Sequence, residues 1–132
     1  MQVVYVSQQQ MKTLDPHPKV PVISFVEPED IYYPQGNWLE VLQIKCHDIT
    51  KETPPYVLFN KEHARQIVDF VDKHKYPPWG IVVHCQAGVS RSGATAHFIA
   101  NYHGYSEVHN GFSLEAVNSA PHINRHIFNL LM

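Results

Sequence analysis

The sequence predicts one α/β domain, a central and mostly parallel sheet of four to five strands flanked by helices. Three observations carry that prediction. The chain has 132 residues, the length of one ordinary domain, and a chain of about 150 residues buries ~70% of its unfolded surface. Hydrophobic residues make up 44% and charged residues 17%, the latter under the ~25% usual in soluble domains, which excludes a charge-rich disordered chain and a coiled coil. Short β-branched runs also alternate with helical periodicity, the pattern of right-handed strand-helix-strand crossovers.

The strands come from Val3 to Ser7, Pro21 to Val26, Leu39 to Cys46 and Ile81 to His84, runs too short and too β-branched for helices. Between the third and fourth lies Asn60 to His74, where Ala64, Ile67, Val68 and Val71 follow the i, i+3, i+4, i+7 rule and Asn60 serves as N-cap. After Cys85 the pattern is helical from about Ser92 to Tyr102, and a short helix is expected around Ser113 to Asn118. A last helix is expected to begin at Pro121, a good first-turn residue, with Ile123, Ile127, Leu130 and Leu131 on one face. Glu27 to Gly36, Thr50 to Tyr56 and Tyr76 to Gly80 are polar or proline-containing loops within the domain. No repeat is found, and Gln8-Gln9-Gln10 is the only biased tract.

Ten Lys/Arg against twelve Asp/Glu give a net charge of -2, without the basic excess of a chain built to grip nucleic acid. Apolar segments such as Gly80-Ile81-Val82-Val83 fall far short of the ~20 residues of a membrane span, so no membrane partner is expected. The N-terminus lacks the basic and apolar regions of a signal peptide. Cys46 and Cys85 are too few for a disulfide framework. A cytoplasmic protein with a working thiol is the expectation.

Chemistry concentrates after the fourth strand, where Cys85 is followed by Gln86-Ala87-Gly88-Val89-Ser90 and then by Arg91-Ser92-Gly93 at a helix start. A loop that turns from strand into helix in so few residues aims backbone N–H groups inward, with the positive end of the helix dipole behind them. Gly88 lets the backbone come close. Arg91 brings a planar fork that matches two phosphate oxygens. Gln86, Ala87, Gly88, Val89, Ser90 and Arg91 are thus the expected phosphate-binding set. The same field favours a thiolate at Cys85, since helix N-termini and cations lower cysteine pKa values to ~3.5–7.5. A thiolate beneath a phosphate is placed for in-line attack on phosphorus, giving a phosphocysteine that water hydrolyses. Ser92 can donate its hydroxyl to the sulfur as it leaves, and His84 can fix the loop through its ring.

The run His84-Cys85-Gln86-Ala87-Gly88-Val89-Ser90-Arg91-Ser92-Gly93 resembles the His-Cys-(five residues)-Arg-Ser/Thr signature of cysteine-dependent protein tyrosine phosphatases, and its Ala-Gly-x-Ser-Arg-Ser interior is most similar to the dual-specificity branch. The likeness extends from about Val22 through the C-terminal helix. It implies a phosphotyrosine-protein-phosphatase-like fold, with residues 1–132 forming a single catalytic domain that needs no metal or other cofactor. It also places a general acid after the strand preceding the central helix, and Leu42-Gln43-Ile44-Lys45-Cys46-His47-Asp48 has that form. Asp48 is the candidate acid, with Glu52 in reserve; the Trp-Pro-Asp form of the larger tyrosine-specific enzymes is absent. Relatives carry a structural Asn where Asn124 stands, and some form a protective disulfide that Cys46 and Cys85 would reproduce, though burial as a small apolar residue is the preferred reading of Cys46. His122 and His126 share a helical face, but Arg125 and Asn129 flank them, so a solvated face rather than a metal site is expected. Tyr32, Tyr33 and Trp38 either shape access of substrate or anchor their own loop.

The reading that follows is hydrolysis of phosphotyrosine, and as a second class phosphoserine and phosphothreonine, in a protein or peptide partner, by a chain taken as a monomer. Two alternatives remain: a catalytically weak module that binds phosphoproteins, and a phosphatase for a non-protein ester. The uncharged loop interior lacks the lysines often found in inositol-lipid phosphatases, and it departs from the Thr-His-Gly-x-Asn-Arg form of RNA triphosphatases. Rhodanese-like sulfur transfer would not call for Arg91-Ser92-Gly93 or Asp48. Pseudophosphatases commonly lack the Cys or the Arg, and both are present here.

Overall fold

Alternating side chains give the strands two buried faces. In the computed structural model, which describes residues 2–74, 80–104, 106–109, 112–113 and 123–132, β1 (Gln2–Ser7), β2 (Pro21–Val26), β3 (Glu40–Lys45), β4 (Ile81–Cys85), β5 (Ser106–His109) and β6 (Phe112–Ser113) form one sheet in the order β3-β2-β4-β1-β5-β6. All neighbouring pairs are parallel except β5 with β6. The single α/β domain with its parallel sheet is therefore as expected, extended on one side by two strands that no apolar run announces. Val3, Tyr5, Ile23, Phe25, Ile44, Ile81, Val83 and Cys85 face one core, and Val6, Val22 and Val82 face the other, as a period of two requires.

The larger core is covered by α2 (Lys61–Lys73), α3 (Arg91–His103) and α4 (Arg125–Leu131). Asn60 caps α2 as expected, its side chain accepting from the His63 N–H. Ala64, Ile67 and Val71 are buried, and full burial of an Ile or Val side chain stabilises by about 1.5–3 kcal/mol. The smaller core is roofed by α1 (Gln8–Met11), which supplies Met11, and by the loops that supply Leu14, Tyr32 and Trp38.

The last helix departs from expectation. It starts at Arg125 rather than Pro121, because Asn124 is extended and its side chain accepts from the Ile127 N–H, making Asn124 the N-cap. Pro121 and His122 lie outside the described residues, as does the helix expected over 113–118 except for Ser113, which ends β6. Leu39, expected in the third strand, precedes it and is exposed. No helix among the described residues is long and apolar enough to cross a membrane.

Candidate active site

In a parallel sheet every strand delivers its carboxyl end to the same edge, and crevices form there. The central strand β4 lies between β2 and β1, so the loop after it is ringed by the segments that follow β1, β2 and β3. Cys85 stands opposite Ser7 in the β1–β4 register. The Gln8 N–H donates to the Gln86 carbonyl at 3.3 Å. Gly88 is in the left-handed region at φ +74°, and a Cβ there would fall on the backbone of Val6 and Ser7. Only glycine lets the loop close against β1 in this way.

Side-chain alternation then sends Cys85 toward α3 and His84 to the opposite face. The Cys85 Sγ lies 3.2 Å from the Ser92 Oγ, with both residues buried. Ser90, the N-cap of α3, makes no side-chain cap. Among the described residues no backbone acceptor is assigned to the N–H groups from Ala87 to Ser92. They sit at the start of a 13-residue helix, where backbone donors and dipole together favour an anion.

Arg91 is 3% exposed and is held by the ends of two neighbouring strands. Its Nη1 donates to the Glu27 Oε2 at 2.9 Å and to the Cys46 carbonyl at 2.7 Å, while Nη2 donates to the Glu27 Oε1 at 3.2 Å. Guanidinium has five N–H donors. Three are satisfied here, and the Nε–H is buried without a partner among the described residues. The remaining edge, Nε–H beside the second Nη2–H, is the bidentate face suited to a phosphate.

Asp48 reaches the same loop from the segment after β3. Its Oδ1 accepts from the Ser90 Oγ and from the Asn124 Nδ2, each at 2.8 Å. Asn124 also donates to the Ile49 carbonyl at 3.1 Å, and its backbone N–H donates to the Ser90 carbonyl at 3.0 Å. One asparagine therefore joins the Asp48 segment, the Cys85 loop and α4. Both donors meet Oδ1, and Oδ2 makes no assigned hydrogen bond among the described residues. Glu52 is exposed and has no assigned bond to the loop.

His84 completes a relay on the other face. The Gln43 Nε2 donates to the Tyr32 carbonyl at 2.9 Å and to the Ser24 Oγ at 3.3 Å. Ser24 Oγ lies 2.7 Å from the His84 Nε2, and the His84 Nδ1 lies 3.4 Å from the Cys85 carbonyl. A carbonyl can only accept, which assigns the ring proton to Nδ1 and makes Nε2 the acceptor from Ser24. Burial, the largest influence, pushes the His84 pKa down to about 4.

That shift has a consequence for stability. The unfolded ring, at its ordinary 6.5, takes up a proton before the folded ring does. His84 therefore stabilises fully above pH 6.5, and its contribution is lost as pH falls toward 4. The expected loss is on the order of 3 kcal/mol. Urea unfolding of the wild type and of His84→Asn at pH 7.5 and pH 4.5 checks it: the wild type should lose more stability on acidification than the variant.

The structure thus gathers Cys85, Arg91, Ser92, His84, Ser90 and Asp48 around one loop. Glu27, Asn124, Ser24 and Gln43 are additions that the sequence reading did not assign to the site. Cys46 is a free, fully buried thiol, and burial pushes its pKa up to about 12, in keeping with the apolar reading. His126 places Nε2 2.7 Å from the Phe59 carbonyl, and no cluster of metal-ligating side chains occurs among the described residues. Trp38 anchors its own loop, donating to the Gln35 carbonyl.

The fold is that of the protein-tyrosine-phosphatase-like α/β domains. Among solved structures, the crystal structure of Tk-PTP in the active form matches this chain at a TM-score of 0.50 and 19% identity, over 84% of this chain and 74% of that one. At that identity the likeness is one of fold. No family model and no curated protein matches the chain.

Proposed function

We propose that the chain is a cysteine-dependent phosphatase, a single catalytic domain that hydrolyses phosphotyrosine in proteins and takes phosphoserine or phosphothreonine as a second class. The observation that carries this reading is the unpartnered edge of Arg91 beside the Cys85 loop. A buried guanidinium is fixed by Glu27 and Cys46 with its bidentate face left over, at the start of the helix that follows the cysteine loop, whose N–H groups have no assigned backbone acceptor among the described residues. That arrangement suits a tetrahedral dianion held from several sides.

In the proposed reaction the Cys85 sulfur attacks phosphorus as a thiolate, forming the S–P bond as the P–O bond to the alcohol or phenol breaks. Asp48 gives its proton to the departing oxygen. Water, deprotonated by the Asp48 carboxylate, then attacks phosphorus, and the S–P bond breaks with its electron pair returning to sulfur. Ser92, 3.2 Å away, donates to that sulfur. Arg91 and the loop N–H groups hold the equatorial oxygens throughout. No step calls for a cofactor.

The direct test is hydrolysis of a small aryl phosphate without added metal, alongside a panel of phosphopeptides. Turnover of both supports the reading, and binding without turnover supports a phosphoprotein-binding module instead. Glu27 adds a sharper expectation. Glu27→Gln removes the charge that orients Arg91, and a charge-assisted hydrogen bond contributes ~1.5–3 kcal/mol. The value of kcat/KM should fall by about tenfold or more, read by steady-state kinetics on the aryl phosphate.

A further inference from the structure

A cleft of about 360 Å³ opens beside the Cys85 loop, lined by Met11, Lys12, Leu14, Pro16, Tyr32 and Gln35 with Gly36. Its position follows from the topology. One wall continues from β1, whose last residue Ser7 pairs with Cys85 and whose next residue, Gln8, bonds to Gln86. The other wall is the loop after β2, where the Tyr32 ring meets His84 edge-on at 5.4 Å. Gly36, at φ +101°, closes the floor, because a Cβ there would fall on the Pro16 ring.

Apart from Lys12 the lining is uncharged. The Lys12 Nζ stands 5.5 Å from the centre of the Tyr32 ring, and among the described residues it makes no assigned ion pair. An ammonium resting on an aromatic face is localised without being neutralised. Lys12 follows the four residues of α1, whose first, Gln8, bonds through its backbone to Gln86 next to Cys85.

We propose that this cleft receives a residue flanking the phosphorylated one in a protein substrate, and that Lys12 selects an Asp or Glu side chain there. The proposal rests on the phosphatase reading and deepens it by naming a substrate class. The apolar walls of Met11, Leu14 and Tyr32 cover the methylene part of the side chain, and Lys12 meets its carboxylate. The contact is solvent-accessible, so its worth is modest and salt-sensitive.

The test is kcat/KM for phosphotyrosine peptides that differ at one flanking position, carrying Glu, Gln or Lys, with a small aryl phosphate measured in parallel. At one position the wild type should prefer Glu over Lys by about fivefold or more, and the preference should shrink at high salt. In Lys12→Glu the order should reverse. An unchanged preference in that variant, no discriminating position, or inert peptides alongside a hydrolysed aryl phosphate would each overturn the assignment. Failure to hydrolyse the aryl phosphate would instead overturn the phosphatase reading itself.

Discussion

A Cys85→Ser protein is expected to lose turnover of every phosphate ester while still binding them. The substituted hydroxyl is a far weaker nucleophile near neutral pH than a thiolate, so the covalent step stops. The anion cradle is untouched, because Arg91 is held by Glu27 and the Cys46 carbonyl rather than by the sulfur. Binding of a phosphotyrosine peptide, followed by calorimetry, should therefore persist. Chelators should leave the wild-type rate unchanged, since the proposed steps use only protein groups and water. Near-wild-type turnover by the serine variant would sink the covalent mechanism.

Asp48→Asn carries the second large effect. Its carboxyl is tied to the Cys85 loop by Ser90 and Asn124 on one oxygen, and Asn can keep that acceptor while losing the transferable proton. General acid catalysis contributes ~10² to 10⁴ in rate. The loss should approach that range for alkyl phosphates and unactivated phenyl phosphates, whose leaving oxygens need the proton. It should shrink for a nitrophenyl ester, which departs without help. A folding defect would depress all substrates alike, so the ratio between leaving groups is the readout. If the selective loss appears in Glu52→Gln instead, the acid is Glu52.

Some of this site was legible in the sequence because it is local. Cys85, Arg91 and Ser92 lie within eight consecutive residues of one strand-loop-helix turn, where spacing alone sets geometry. The capped helix α2 was legible for the same reason, since its period and its N-cap lie in one window. Asp48 was reached through resemblance and the form of the strand before it. Glu27, Ser24 and Gln43 were not reached, and Asn124 was reached only as a structural residue through resemblance, because they come from two other strands or their loops and from a helix cap, and only the tertiary fold brings them together. Glu27 did leave a signal: it directly follows Val26, the last residue of a strand, and so sits at the edge where the crevice had to form.

Other misses have particular causes. The helix α1 was hidden inside Gln8-Gln9-Gln10, read as a biased tract, although Ser7 and Gln10 form a capping box with the Ser-x-x-Gln spacing that marks a helix start. The start of α4 was misplaced by the pull of Pro121 as a first-turn residue. Asn124 decides the matter, because its side chain can cap a helix only from outside it. The strand β5, Ser-Glu-Val-His, has one apolar residue in four and no period to detect. It is defined by its register with β1, a long-range fact.

The central claim is a phosphoryl group carried by the Cys85 sulfur. Ser92→Ala is the protein in which to look for it, because loss of the hydroxyl 3.2 Å from that sulfur should slow breakdown of the intermediate more than its formation. The variant is mixed with nitrophenyl phosphate, quenched in denaturant within the first turnover, digested and mapped by mass spectrometry. The account predicts one phosphoryl group per chain on the peptide containing Cys85, appearing together with a burst of released nitrophenol and absent from Cys85→Ser. A phosphoryl group on a histidine or serine instead, or full turnover with no burst and no labelled peptide, would contradict it.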